Sequence, residues 1–211
     1  MSGAAPSFIR MLRRERALYG DTVRERLRSF ADVPPADYFY ELVYCLLTPQ
    51  SSARNAARAV EALRRADLEG RGTDPAPILA RGEHYIRFHR TKAGRILQAR
   101  SCYGEILHTL LTTPDSRELR LWLVRNVRGL GWKEASHFLR NIGRRDLAIL
   151  DRHILRNLKL HGVVRTLPRT LTHARYLAIE RSYLRFARRT GIPLDELDLL
   201  FWRRETGTIL K

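Results

Sequence analysis

The sequence predicts an all-α fold arranged as two helical lobes, and three observations carry that prediction. Apolar residues recur at three- and four-residue spacing almost throughout, the period of one helix face. No stretch alternates apolar and polar residues, rich in β-branched types, for long enough to build a sheet. The breaks between periodic segments carry the proline, glycine and serine residues that stop and cap helices. A chain of 211 residues also has the length to bury a core and leave a cleft between lobes.

Taken in order, the first helix is expected from Ser7 to Phe30. It ends at Ala31-Asp32-Val33-Pro34-Pro35, where the proline pair marks a new start. The next helix turns Tyr38, Leu42, Val43, Leu46 and Leu47 inward and stops at Thr48-Pro49, because a residue before proline leaves the helical region. Ser51 and Ser52 offer caps to a helix through Ala56, Val60 and Leu63. A polar connection runs from Asp67 to Pro77, followed by a short helix near Ile78. From Tyr85 to Leu111 the apolar positions Ile96, Leu97, Cys102, Ile106 and Leu110 read as helical. Another helix starts at Ser116, with Leu119, Leu123 and Val127 as its buried stripe. Arg128-Gly129-Leu130-Gly131-Trp132 then precedes a helix from Lys133 to Ile142. Helices near Asp151 to Leu160, Pro168 to Thr190 and Pro193 to Glu205 complete the chain. The expected lobes are residues 31–148, carrying a helical pair over 117–142, and residues 1–30 joined to 149–211. No internal repeat or low-complexity segment interrupts them.

Charge narrows the partners. The formal net charge is +17, and of thirty-nine basic residues only Lys92, Lys133, Lys159 and Lys211 are lysine. An excess of arginine suits phosphate, because the planar guanidinium binds two oxygens at once and stays charged. A polyanion also gains affinity by releasing counterions as its phosphates are neutralised. Nucleic acid is therefore the expected partner. A membrane is not, since no apolar run approaches the ~20 residues a span requires and no lipidation signal is present. The N-terminus lacks a secretory segment, so the chain reads as cytoplasmic. Cys45 and Cys102 lie in apolar helical patterns far apart, fitting packed thiols rather than a disulfide or metal site. His137, His153 and His161 form no closed ligand set with them, and no cofactor is expected.

Two helices joined by Gly129-Leu130-Gly131 form a helix-hairpin-helix pattern. Glycine there permits positive φ and lets backbone amides approach a phosphate, which the N-terminus of the following helix also favours. The hairpin with its neighbours, Val127-Arg-Gly-Leu-Gly-Trp-Lys133 through Gly143 and then Leu147-Ala-Ile-Leu-Asp151-Arg-His-Ile-Leu155, resembles the signature of the helix-hairpin-helix DNA glycosylases. The resemblance is strongest to the second family of 8-oxoguanine DNA glycosylase/AP lyases, compact enzymes of archaea and some bacteria. It extends to Leu46-Leu-Thr-Pro-Gln-Ser-Ser52, Ile86-Arg-Phe88 with Lys92-Ala93, and Glu205-Thr-Gly-Thr-Ile-Leu-Lys211.

That resemblance implies a bifunctional enzyme acting as a monomer on double-stranded DNA containing oxidised guanine. Lys133 would be the amine nucleophile and Asp151 its carboxylate partner. Arginine could not replace Lys133, since only an amine forms a Schiff base, and the helix dipole works against protonation at a helix start. Asp151, just before a helix, is also what simple capping requires; an ionised carboxylate there can serve both ends, and whether it accepts a proton or acts electrostatically stays open. Phe88 and Trp202 would sandwich the everted base, although each also suits a packed core. Gln50 would fill the gap left in the duplex, and Arg128, Gly129, Gly131 and Trp132 would hold its backbone. The carboxylate of Lys211 would accept the N7–H that oxidation gives guanine, where ordinary guanine has only a lone pair. The four-cysteine iron–sulfur loop of the endonuclease III relatives is absent from the sequence. Two alternatives remain: a glycosylase for oxidised pyrimidines or mismatches, and a non-catalytic module that uses the hairpin only to grip phosphates.

Overall fold

The computed structural model describes residues 6–209, with side chains from residue 8. Among these residues every regular element is helical. In chain order they are α1 (Pro6–Ala31), α2 (Tyr38–Leu47), α3 (Ala53–Arg65), the single turns α4 (Leu68–Arg71) and α5 (Ala76–Leu79), α6 (His89–Ser101), α7 (Tyr103–Thr112), α8 (Ser116–Asn126), α9 (Trp132–Asn141), α10 (Arg152–Leu160), α11 (His173–Thr190) and α12 (Leu194–Thr206). No helix is long and apolar enough to cross a membrane among the described residues.

The helices fall into two compact units, one formed by Val33–Ile142, the other by the residues up to Asp32 together with those from Gly143. The first is built around α2. Its sequence is apolar on every face, and Phe39 through Leu47 are buried all round, as expected of a helix enclosed by others. Helices α3, α6 and α9 pack against it. The one carboxylate in α2, Glu41, is buried and accepts from Asn141 Nδ2 of α9 at 3.1 Å. The continuous helix expected from Tyr85 to Leu111 is interrupted: α6 ends at Ser101, and Cys102 leaves helical geometry at φ −111° before α7 resumes. The break itself falls at a cysteine, two residues before Gly104.

In the second unit α1 lays Leu12, Val23, Leu27 and Phe30 against α11 and α12, whose Phe186, Leu197 and Phe201 are buried in return. Ion pairs fix α1 to α12, among them Arg16 to Glu196 at 2.7 Å and Arg204 to Glu15 at 2.8 Å. His161, after α10, stacks on Phe201 at 5.3 Å, and burial, helped by Arg204, lowers its pKa to about 4. Gly143 begins the return of the chain to this unit at φ +86°. A Cβ there would meet the Ala31 backbone at 2.8 Å, so the chain leaving the unit at the end of α1 and the chain re-entering it pass too closely for a side chain at Gly143. The apolar run Leu147 to Leu150 then crosses the core in extended form. Its amides, having no sheet partner, bond instead to α11: Ala148 N to Glu180 Oε1 at 2.9 Å and Leu150 N to the Tyr176 hydroxyl at 3.3 Å.

Candidate functional site

The hairpin is the most regular piece. Asp115 caps α8 by accepting from Arg117 N and Glu118 N at 2.9 and 2.7 Å, and Leu130 N closes the turn onto Val127 O at 3.1 Å. Leu130 is buried, which anchors the turn, while Arg128 is exposed. Gly129 has φ +102°, and a Cβ on it would lie 2.6 Å from Arg95 Cδ and 3.2 Å from Leu46 Cδ2. Gly131 is the N-cap of α9 and supplies no side-chain acceptor. The helix dipole makes this start of α9 favourable for an anion. Trp132 lies over the guanidinium of buried Arg120 at 4.9 Å, and Arg120 Nη1 donates to Ser136 Oγ at 3.0 Å.

Lys133 is the second residue of α9. Its side chain is 25% exposed, with Nζ 3.7 Å from Glu134 Oε1. Cys45, which feels the charge of Lys133, is fully buried, and burial pushes its thiol well above the usual range, removing it as a competing nucleophile. Lys92 is the contrasting amine. It is 2% exposed, and Nζ donates to Leu47 O at 2.7 Å, Pro49 O at 2.6 Å and Ser51 Oγ at 3.1 Å. Burial, and then the charge of Arg95, lowers its pKa to about 8. By pKa alone Lys92 would be chosen as a nucleophile; access chooses Lys133, because every proton on Lys92 is already engaged.

The segment held by Lys92 carries Gln50. Ser51 N donates to Thr48 O at 3.1 Å, making a turn whose third residue is Gln50 at φ 55°. Glycine or asparagine is usual there. Beside it, Phe88 opens α6 at φ 60° and is 50% exposed, with Arg87 4.9 Å over its ring. Arg87 N to Ser51 Oγ at 3.2 Å and Asn55 Nδ2 to Tyr85 O at 3.1 Å join the two turns. A side chain half in water is not a core aromatic, so the packing reading of Phe88 does not hold.

In the other unit Asp151 is the N-cap of α10. Its Oδ1 accepts both His153 N and Ile154 N at 2.8 Å, and Oδ2 accepts nothing from the described residues. The half-buried Trp202 of α12 meets the His153 ring edge-on at 5.1 Å. Glu205 accepts from Asn157 Nδ2 at 3.2 Å and pairs with His153 Nδ1 at 3.2 Å, tying the end of α12 to α10. Asp151 and Trp202 are thereby carried on two helices that are fastened together. Lys211 lies outside the described residues.

Sequence reasoning missed the part played by Lys92. A signal existed: Lys92, Ile96 and Ala99 stand at four- and three-residue spacing, which puts a lysine on the inward stripe of α6. Ser51, read as a helix cap, instead accepts from Lys92 and Arg87, while Ser52 does the capping through Asn55 N at 3.0 Å.

Comparison with known proteins places this geometry. A family model described as 8-oxoguanine DNA glycosylase matches residues 23–192. The 8-oxoguanine DNA glycosylase/AP lyase of Korarchaeum cryptofilum is 43% identical over 199 residues, which is 92% of this chain and 94% of that protein. The crystal structure of the 8-oxoguanine DNA glycosylase of Thermotoga maritima superposes with a TM-score of 0.86 at 32% identity, covering 97% of this chain and 99% of that one. The Methanocaldococcus jannaschii 8-oxoguanine glycosylase/lyase in complex with a 15mer DNA containing 8-oxoguanine superposes with a TM-score of 0.81 at 31% identity, covering 95% of this chain and 100% of that one.

Proposed function

Because the chain belongs to the helix-hairpin-helix family of 8-oxoguanine DNA glycosylases, we infer that it is a bifunctional DNA glycosylase/AP lyase that excises 8-oxoguanine through a Schiff base on Lys133. The observation that carries this reading is the contrast between two amines: Lys133 reaches solvent at the start of the hairpin's second helix, whereas Lys92 is sealed by three acceptors.

In this reading neutral Nζ of Lys133 attacks C1′ of the everted nucleoside. The C1′–N9 bond breaks, and its electron pair leaves with the base, which takes up a proton. Nζ supplies that proton, and its lone pair then opens C1′–O4′, the bond pair leaving on O4′, which is protonated, to give an iminium. That group draws off electrons so that a C2′ proton is lost and the 3′ phosphate departs with the C3′–O pair, and water then releases the enzyme. Asp151, its Oδ1 fixed by two amides, stabilises the positive charge that grows on the sugar as the glycosidic bond breaks. Phe88 and Trp202 stack on the base, which offsets the cost of unstacking it, and Gln50 occupies the space it leaves. Arg128 and the amides around Gly129, Gly131 and Trp132 hold the backbone. Lys211 completes the discrimination against guanine. The protein acts as a monomer on chromosomal DNA inside the cell.

Borohydride trapping on duplexes carrying 8-oxoguanine, an oxidised pyrimidine, a mismatch or no lesion tests this. The expected result is a covalent adduct with the 8-oxoguanine duplex that disappears in Lys133→Gln, with strand cleavage falling by roughly a thousandfold or more. Absence of an adduct with every substrate would leave the non-catalytic binding module, and an adduct confined to the pyrimidine lesion would move the specificity.

A further inference from the structure

Lys92 is an ammonium buried in an apolar helix interface with no carboxylate in ion-pair reach among the described residues, an arrangement that costs stability. Satisfying the last carbonyls of α2 does not call for it, since water or a glycine turn does that in most helices. What distinguishes Lys92 is the pair of positions it joins. Its side chain bonds to Pro49 O and Ser51 Oγ, the residues on either side of Gln50. Its own amide donates to Phe88 O at 3.0 Å. Ser51 Oγ, already an acceptor for Lys92, also accepts from Arg87 N, next to Phe88. The bonds form a closed ring around two residues whose backbones are both left-handed, a conformation that persists only where the surroundings over-determine it.

We propose that Lys92 is a positioning residue for base capture: through Pro49, Ser51 and the first turn of α6 it fixes how Gln50 and Phe88 are presented, without touching DNA itself. The proposal rests on the assignment of those two residues to nucleotide capture made above. It predicts a selective defect. An abasic site has no base to capture, so cleavage there does not need the ring of bonds, whereas excision of 8-oxoguanine does.

The test uses the full chain with Lys92→Met and the milder Ser51→Ala, comparing single-turnover excision from an 8-oxoguanine duplex with cleavage of an abasic duplex. Lys92→Met is expected to slow excision roughly 30-fold and Ser51→Ala roughly fivefold, both at saturating enzyme and with duplex Kd unchanged, while abasic cleavage stays within about twofold. Equal losses on both substrates, or no loss on either, would overturn the proposal. Should Lys92→Met fail to fold, Ser51→Ala decides by the same criterion. Phe88→Ala and Gln50→Ala separate the two levels of inference. If both are silent on excision, the capture assignment itself fails. If they are defective while the Lys92 and Ser51 variants are not, only the positioning role fails.

Discussion

The hairpin between α8 and α9 and the paired turns at Gln50 and Phe88 both need backbone in the left-handed region, and they meet that need in opposite ways. The hairpin uses Gly129, for which positive φ carries little strain and beside which a Cβ has no room. The paired turns place a glutamine and a phenylalanine there, at a strain of order 1 kcal/mol each, and hold them with a buried lysine. The difference fits the roles proposed above for the two turns. A turn proposed to bind through amides is best without a side chain; one proposed to bind through a side chain tolerates strain and is stabilised from behind.

The comparison breaks most visibly at Gly129. Gly129→Ala drives a Cβ into Arg95 and Leu46 at an unfavourable φ, so urea denaturation should show a loss of about 2–4 kcal/mol together with weaker duplex binding. A loss under about 0.5 kcal/mol would mean the turn has slack that its geometry denies. Next in size is the pH dependence of the clamp. The pKa of Lys92 is lowered from its ordinary value to about 8 on folding, so between pH 8 and 10.5 the unfolded chain binds the extra proton and stability rises with pH. Measured against Lys92→Met, in which this titration is absent, wild type should gain up to about 3 kcal/mol across that window. A flat difference would show that the ammonium is hydrated after all. Smallest are the two strained residues. Phe88→Gly and Gln50→Gly should leave stability unchanged or raise it by up to about 1 kcal/mol. Phe88→Gly should slow excision by about 10- to 100-fold, the worth of a stacked base, and Gln50→Gly by several-fold. If either lowers stability instead, that side chain is packed rather than presented.

Helix existence was legible wherever apolar spacing was long and its ends carried punctuation. The expected Ser7 to Phe30 lies within α1 (Pro6–Ala31), and the segment begun at Lys133 is α9, one residue off. Asp151 was legible as a cap because Asp before an apolar helical run has few other uses, and it caps α10. The break at Cys102 was not: the apolar spacing runs on through it, and Gly104 two residues later was not read as its sign. Nor were the left-handed Gln50 and Phe88: sequence signals for positive φ are glycine and asparagine, and these two are stabilised by partners distant in the chain. For the same reason Lys92 could be quoted within a motif without its role being seen. Its three acceptors lie more than forty residues away in sequence, and no periodicity reports a hydrogen bond.

The near-contact of Gly143 with Ala31 has a bearing on biosynthesis. The unit of Val33–Ile142 is threaded as one uninterrupted excursion out of the other, leaving and returning at neighbouring points. A ribosome therefore makes α1 before the excursion and its partners α11 and α12 after it. Once the excursion has been made, the face of α1 bearing Leu12, Val23, Leu27 and Phe30 still waits for those partners. In that interval α1 is exposed to aggregation and proteolysis, and the synthesis of α11 and α12 ends that exposure.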